Sequence, residues 1–548
     1  MAIDLPPAVP PTLVNASAIS EFASSASPYV GKVGSFELRV TGSHQLSGAE
    51  LDKIFSAAKS PDQAILLISS ATNRKGHLLV NTLYSRDGAV VYVHALQARV
   101  GDVSGDEAIT GFFDGLEGDP DLKRSEFDRA RAMADVKSKR TGVDYSVSYD
   151  VSESDPGVVG MVFTGEPRDD ADRTDLSLKL SNEGSRFAGR YYGDVGLSHN
   201  TMGGTSMSLD YQTAIPEWGE SREGDDYDQI SLSLSRPFSF GLYGIRASQA
   251  EYTQDFRESV PGGCTGVVIM GSCVGASTPP TTVTSVFDAE IQRIALTGEQ
   301  VLSSDIDRRF SLTQEIETVD SQIEDEGGND LQDEVYTTLK VGAKYQRQHR
   351  LQSKNMLNYT LALSAKGGVS DDGGTLESTP NMTGVAVGKR VGDFLVYNPR
   401  IAAQWNNLKR TTVDFDFAAQ IASDQLPQQQ QWVLGGVNSI SSHLPGTLVG
   451  DSGVFTRLAL NHKLVKLDSF NLTAGIFAEY GDANFEDANG SGNDTIAISD
   501  VGVRLTANYQ DDLEIALVIA NSLSEKNLSD DYLEATEADA FASIKLIF

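Results

Sequence analysis

The sequence predicts a membrane β-barrel of about 16 antiparallel strands preceded by two small α+β domains. Three observations carry this. From about residue 174 to the end, apolar and polar residues alternate in segment after segment, the period of a strand with one face in each medium. Between residues 35 and 170 the pattern is different: strand, two helices and two strands, twice over. And nothing in the 548 residues reads as a membrane-crossing helix, because the two longest uncharged runs, 264–287 and 428–450, are broken by Gly and Pro and are too polar.

Composition narrows the function. The chain carries 44 Lys and Arg against 76 Asp and Glu, a net charge of −32, and phosphate recognition needs a basic stripe, so a nucleic-acid partner is excluded. The acidic surface is compatible with water and with the cations that accompany lipopolysaccharide. The only cysteines, Cys264 and Cys273, stand in a Gly-flanked stretch followed by Pro279 and Pro280. Such a pair predicts a disulfide that clamps an exposed loop in an oxidising compartment.

Residues 1–34 are rich in Pro, Ala and Ser and predict an extended segment with one short helical piece at 15–26, a possible plug. The first residues have neither a basic region nor an apolar core, so no secretion signal is expected here, and an exported protein would be the mature form with an added Met1.

Order is expected from Phe36. Phe36, Leu38 and Val40 alternate before Gly42; Ser47 and Glu50 form a capping box that opens a helix with Leu51, Ile54 and Phe55 on one face. A second helix from Asp62 and strands at 77–85 and 89–95 complete a first domain, 35–95. The second, 96–170, repeats the order: a strand at 96–103, helices at 107–116 and 125–139, and a hairpin of 143–151 with 158–163. Two such modules in series resemble polypeptide-transport-associated (POTRA) domains, whose edge strand can receive an extended peptide through main-chain hydrogen bonds.

The third region, 171–548, is the barrel. Leu176, Leu178 and Leu180 alternate with Ser177, Lys179 and Ser181, and Val413, Phe415 and Phe417 with Asp414 and Asp416. Sixteen strands are expected, starting near 174, 189, 204, 227, 240, 283, 302, 333, 353, 391, 410, 453, 470, 497, 512 and 538. Most run to ten residues or more, and strands of about 9–11 residues cross a bilayer whereas globular strands average about 5–6. Ala540, Ala542, Ile544, Leu546 and the final Phe548 share one face, and this ending resembles the signal by which outer-membrane barrels are recognised for insertion.

Taken together, two POTRA-like modules before a sixteen-strand barrel resemble the two-partner secretion transporters, the TpsB or haemolysin secretion/activation family, related to the barrel-assembly protein BamA. The stretch 180–191, LSNEGSRFAGRY, is similar to that family's first barrel hairpin. In the family the loop between the eleventh and twelfth strands folds down into the lumen, and the strand count places 423–452 in that slot. The resemblance implies a Val-Arg-Gly-aromatic tip followed by Leu-x-Gly-Asp-x-Gly. The second motif is present as Leu448, Gly450, Asp451 and Gly453; the tip is not. Aligned on Gly435 and Gly436, the tip reads Ile440, Ser441, Ser442, His443, so Ser441 occupies the arginine position.

That arginine is implied to pair with an aspartate on the lumen face of the thirteenth strand. Here the residue is Glu479, and parity with Thr473, Gly475 and Phe477 points it inward. An unpaired carboxylate in a partly dry lumen is costly, so another cation is expected: Arg457, then Arg400 or Arg504, with His443 as a pH-dependent candidate.

Other signals reduce to this reading. Gly450-Asp451-Ser452-Gly453 matches the string around a serine-protease nucleophile, but no histidine stands in a matching context upstream. Asp414 and Asp416 imitate an acid/base pair yet lie on one face of one strand, as pore lining does. The seven histidines lack metal-ligand spacing, phosphate-binding glycine motifs are absent, and the acidic block 320–334 reads as a solvated outer loop. No enzyme, cofactor or metal site is expected.

The expected function is translocation of a partner exoprotein from the periplasm to the cell surface of a Gram-negative bacterium, without nucleotide hydrolysis. Its partners would be the secreted polypeptide, captured by strand addition to the POTRA-like pair; outer-membrane lipid and lipopolysaccharide; and the barrel-assembly machinery during biogenesis. The alternative is a surface-anchoring or passive pore barrel of the same descent that no longer secretes.

Overall fold

A computed structural model describes residues 3–15, 17, 19, 27–152, 154–169, 171–185, 189–215, 226–260, 267–269, 272–274, 281–328, 330–351, 355–371, 376–377, 389–390, 392–407, 410–467, 469–486, 495–510 and 512–548. The N-terminal region contains two α+β units. The first joins β2 (Tyr29–Val33) and β3 (Phe36–Gly42) to α1 (Gly48–Ala57), α2 (Pro61–Arg74), β4 (Val80–Asp87) and β5 (Val90–Gln97). A two-residue strand before them, β1 (Thr12–Leu13), extends their sheet to the order β1-β4-β5-β3-β2.

The Ser47–Glu50 capping box forms as expected, Glu50 accepting from the Ser47 N–H at 2.8 Å. Leu51 and Phe55 of α1 and Ile65 and Ile68 of α2 bury against Leu38, Val40, Val91 and Val93. The second unit, β6 (Arg99–Gly105), α3 (Glu107–Thr110), α4 (Arg124–Thr141), β7 (Val143–Val151) and β8 (Val158–Pro167), has the sheet order β6-β8-β7. Its core is a stack in which Phe113 lies 5.2 Å from Phe127 and 4.4 Å from Phe163, ring centre to ring centre.

Residues 3–14 run across both units. Ile3 and Val9 are buried in the second unit's core, and Thr12 and Leu13 pair with Leu83 and Tyr84. Most of the helical piece expected at 15–26 lies outside the described residues.

The wall begins with β9 (Thr174–Ser181), β10 (Tyr191–Asn200), β11 (Ser206–Ile215), β12 (Tyr227–Phe238) and β13 (Gly241–Val260). After the short hairpin β14 (Val267–Ile269) and β15 (Ser272–Val274) come β16 (Thr281–Ser304), β17 (Arg308–Asp325), β18 (Asp330–Arg350) and β19 (Met356–Asp371). A second short pair, β20 (Leu376–Glu377) and β21 (Lys389–Arg390), precedes β22 (Leu395–Asn406) and β23 (Thr411–Ala422). The loop after β23 carries its own stem, β24 (Trp432–Leu434) and β25 (Leu448–Gly450). Strands β26 (Ser452–Lys466), β27 (Phe470–Asn484), β28 (Ile496–Tyr509), β29 (Leu513–Lys526) and β30 (Phe541–Ile547) complete the wall.

Without the short pairs, sixteen strands close into one antiparallel barrel, the number expected. Closure joins β30 to β9, with Ile544 opposite Leu180, and Phe548 exchanges two backbone hydrogen bonds with Leu176 at 2.8 and 3.1 Å. Leu458, Leu460, Ile476, Val501 and Val503 are exposed on the outer face, a contiguous apolar surface that lipid would cover. Among the described residues no helix is long and apolar enough to cross a membrane.

The two ends of the barrel differ. Arg140 of α4 donates to the carbonyls of Gly204 and Ser235, at 3.1 and 2.8 Å, which seats the second α+β unit against the end where the connections are short turns. Long connections, including 423–451 and 527–540, gather at the other end, the asymmetry of outer-membrane barrels.

One expectation changes. The block 320–334 is mostly strand, because β17 pairs through Asp325 and β18 resumes at Asp330, and Glu334 is buried at 2% exposure rather than solvated. The Cys264–Cys273 bridge finds no support: Cys264 and the side chain of Cys273 lie outside the described residues.

Candidate functional site

Residues 423–451 leave the rim between β23 and β26 and turn back inside the barrel. Their neck is built on Asp451, which is 0% exposed. Its Oδ1 accepts from the Leu426 N–H and its Oδ2 from the Glu486 N–H, both at 2.9 Å, so one carboxylate ties the loop's first turn to the next outer loop. Ser452, the serine of the protease-like string, accepts from the Ala422 N–H at 3.0 Å and donates to Glu486 at 2.8 Å. Its hydroxyl closes the neck. A Cβ on Gly453 would stand 2.3 Å from the Trp432 ring and from the Asp482 carbonyl, so the motif's glycine is required by that approach.

Beyond the stem the chain turns at Gly435 and Gly436, whose φ values of 123° and 80° favour glycine. Ile440, Ser441, Ser442 and His443 follow, all nearly inaccessible. The Ser441 N–H donates to Glu479 Oε2 at 2.8 Å and its hydroxyl to Oε1 at 3.2 Å; the Ser442 N–H donates to Asp500 Oδ2 at 2.8 Å. Glu479 and Asp500 stand opposite each other on β27 and β28, both buried.

The cation comes from the wall. Arg457, directly across from Glu479 in the ladder, forms the ion pair with it. Its guanidinium also donates to the Val437 carbonyl at 2.9 Å and to the Ser441 hydroxyl at 3.3 Å, and lies 5.5 Å from the Phe477 ring centre. Arg504 reaches the same Val437 carbonyl at 2.9 Å. Arg400 faces the lumen between Ala362 and Ala418 and is not among the described partners of Glu479. His443 hydrogen-bonds Ser442 through Nδ1 at 2.9 Å and contacts 527–540 through its backbone, opposite Glu537. Asp414 accepts from Gln404 and Asn461 at 2.8 and 2.7 Å, and Asp416 stands across from Arg457; both are lumen lining.

The outer loop 527–540 clasps the tip. Ala538 N–H donates to the Ser442 carbonyl at 2.9 Å, Leu444 N–H to the Thr536 carbonyl at 2.8 Å and Tyr532 to the Thr447 carbonyl at 2.8 Å. Leu528 and Leu533 add apolar cover over Trp432, Leu434, Ile440 and Leu448.

Sequence reasoning missed the contacts that cross the lumen. Gln428, Gln429 and Gln430 reach the wall formed by β16–β19: the Gln428 N–H donates to both Glu334 oxygens at 3.1 and 3.2 Å, Gln429 accepts from Arg293, and Gln430 accepts from Lys366 at 2.9 Å while donating to Tyr336 at 3.1 Å. A side-chain amide is donor and acceptor at once, so a Gln run suits a wall carrying both signs of charge. The run itself was the available signal. The loop thus spans the lumen, fixed at its rim, at its tip and at the far wall by polar contacts, with Trp432, Leu434, Ile440 and Leu448 packed against Phe455, Ala483 and Ile498 of the wall.

Residues 290–505 match the model of the haemolysin secretion/activation protein family ShlB/FhaC/HecB. Among solved structures, CdiB from Escherichia coli aligns with a TM-score of 0.64 at 15% identity, over 96% of this chain and 92% of that one. CdiB from Acinetobacter baumannii aligns with a TM-score of 0.59 at 13% identity, over 96% and 91%. A search of curated proteins finds no match. At these identities the structural likeness establishes the fold.

Proposed function

We infer that this chain, an outer-membrane β-barrel of the haemolysin secretion/activation family, passes an unfolded partner polypeptide from the periplasm to the cell surface. The observation that carries the reading is the loop 423–451, which crosses the lumen and is held by hydrogen bonds and apolar contacts rather than by a covalent or all-apolar plug. When it swings aside, the contacts it leaves are satisfied by water, and the polar lumen wall accepts an extended chain.

The α+β pair stands at the periplasmic end and supplies edge strands for capture by strand addition. Folding of the partner outside gives direction without nucleotide hydrolysis. The outer face meets lipid and lipopolysaccharide, and the final strand with Phe548 serves recognition by the barrel-assembly machinery.

A passive or anchoring barrel is the second reading, and the absent tip arginine is what favours it. Against it, Arg457 supplies the missing charge, so the loop retains its anchor at the tip. The deciding experiment is secretion of a co-expressed large exoprotein by cells with and without this protein. Transport predicts secretion that is lost on deleting residues 36–170; secretion unaffected by that deletion removes the capture step, and no secretion at all removes the transport reading.

A further inference from the structure

One edge of each α+β sheet is already partly occupied by the chain's own N-terminal residues. With the two-residue β1 left aside, β4 and β2 are the outer strands of the first α+β sheet, and β7 and β6 those of the second; the N-terminal residues meet β4 and β7. Residues 3–14 touch both. Thr12 and Leu13 pair in parallel with Leu83 and Tyr84, and Val14 N–H donates to the Tyr84 carbonyl at 2.9 Å. Ile3 bridges Tyr145 in parallel, and Asp4 N–H donates to the Tyr145 carbonyl at 3.2 Å.

Between these points Ile3, Pro6 and Val9 are buried while Asp4, Pro7 and Pro10 are exposed. Burial every third residue, in a stretch with four prolines, is the period of polyproline II. The surface below reads main chain: Ser69 donates to the Val9 carbonyl at 3.0 Å, Asn73 to the Pro7 carbonyl at 3.4 Å and Arg131 to the Ile3 carbonyl at 3.2 Å, while Asp135 accepts from the Ile3 N–H at 3.0 Å.

We propose that residues 3–14 are a resident occupant of a peptide-receiving surface shared by the two units, and that the secreted partner's segment enters by displacing them. The ligand this surface takes is an extended segment that pairs along the edge strands and, between them, tolerates proline and carries an apolar residue at every third position. The proposal rests on the transport reading for the identity of the displacing partner, but the occupancy stands by itself. The resident pairs with only two residues of eight-residue β4 and one of nine-residue β7, so a segment that pairs along either strand has more main-chain bonds to gain.

The test uses the full chain in detergent and a fluorescent synthetic peptide with the sequence of residues 2–15. In Ile3→Asp/Val9→Asp protein the resident is loosened, and the peptide binds about tenfold or more tighter than to unaltered protein, since apparent affinity scales with the fraction of vacant surface. In Leu13→Cys/Tyr84→Cys protein, with Cys264 and Cys273 replaced by serine, the resident is locked: binding weakens under oxidation and returns with reductant, and secretion of a co-expressed partner follows the same switch. A loosened variant that resists proteolysis as unaltered protein does, yet binds no tighter, overturns the proposal. So does equal binding by the locked and reduced forms, which decides the matter if the loosened variant fails to fold. Absence of secretion from unaltered protein counts against the transport reading instead, leaving the peptide result to judge occupancy.

Discussion

The neck and the tip of the lumenal loop are anchored by opposite arrangements. At the neck the charge sits on the loop: Asp451 holds two backbone N–H groups, and both the carboxylate and Gly453 are dictated by geometry. At the tip the charges sit on the wall, and the loop offers backbone N–H groups of Ser441 and Ser442, which nearly any residue could supply. The lesson is that a side chain is constrained where it carries charge to backbone and free to vary where backbone does the binding. Asp451 and Gly453 are therefore tied to their residue types, and Ser441 and Ser442 are not.

The largest test of this contrast is Arg457→Ala. It strips the buried Glu479 of its cation, and breaking a buried pair costs about 3–5 kcal/mol. The expected result is a barrel that unfolds at lower temperature on heat-modifiability gels and conducts more in planar bilayers. Adding Ser441→Arg to that variant returns the cation from the loop side and is expected to restore most of the loss; a double variant no better than Arg457→Ala would show that the tip cannot exchange the charge between loop and wall. Next is Asp451→Asn, which turns one acceptor at the neck into a donor facing an N–H. Hydrogen bonds to charged groups contribute about 1.5–3 kcal/mol, so loss of one should raise open probability and protease cleavage within 423–451.

The barrel was legible because each strand lies between two media. Alternation such as Leu176, Leu178, Leu180 is imposed locally by lipid on one side and water on the other, and it gives starts as close as 410 against Thr411 and 470 against Phe470. Of the Glu479–Arg457 pair, the inward carboxylate was legible from parity and Arg457 only as the cation nearest in sequence; that the two stand opposite is set by the ladder. Contacts across the lumen carry no such local signature. Gln430 meets Tyr336 and Lys366 only because the barrel is closed, and Glu334 looks like surface until β18 is seen to start before it. The run 3–14 gave its composition but not its seat, because proline and alanine spacing does not name the edge strand it meets.

Ser441→Ala should be nearly silent, and that outcome separates backbone from side-chain binding. It removes two long hydroxyl contacts, to Glu479 at 3.2 Å and Arg457 at 3.3 Å, but keeps the N–H bond, so the loss should fall at or below the low end of the about 1.5–3 kcal/mol of a bond to a charged group. A conductance as high as that of Arg457→Ala would contradict the contrast drawn here.

The smallest effect is a pH dependence at His443. Burial holds its imidazole below the ordinary histidine value, against the opposing pull of Glu525, Glu537 and Asp500. A released loop exposes the ring to water, where it titrates near the usual value of about 6.5. Below that pH the released loop binds a proton that the latched loop resists, so latching weakens as pH falls and is insensitive to pH well above it. Openings in planar bilayers should therefore become more frequent from pH 7.5 to pH 5.5, and His443→Gln should flatten the profile. Because Glu525, Glu537 and Asp500 remain in that variant, a profile that keeps its slope assigns the dependence to those carboxylates and removes the histidine from the latch.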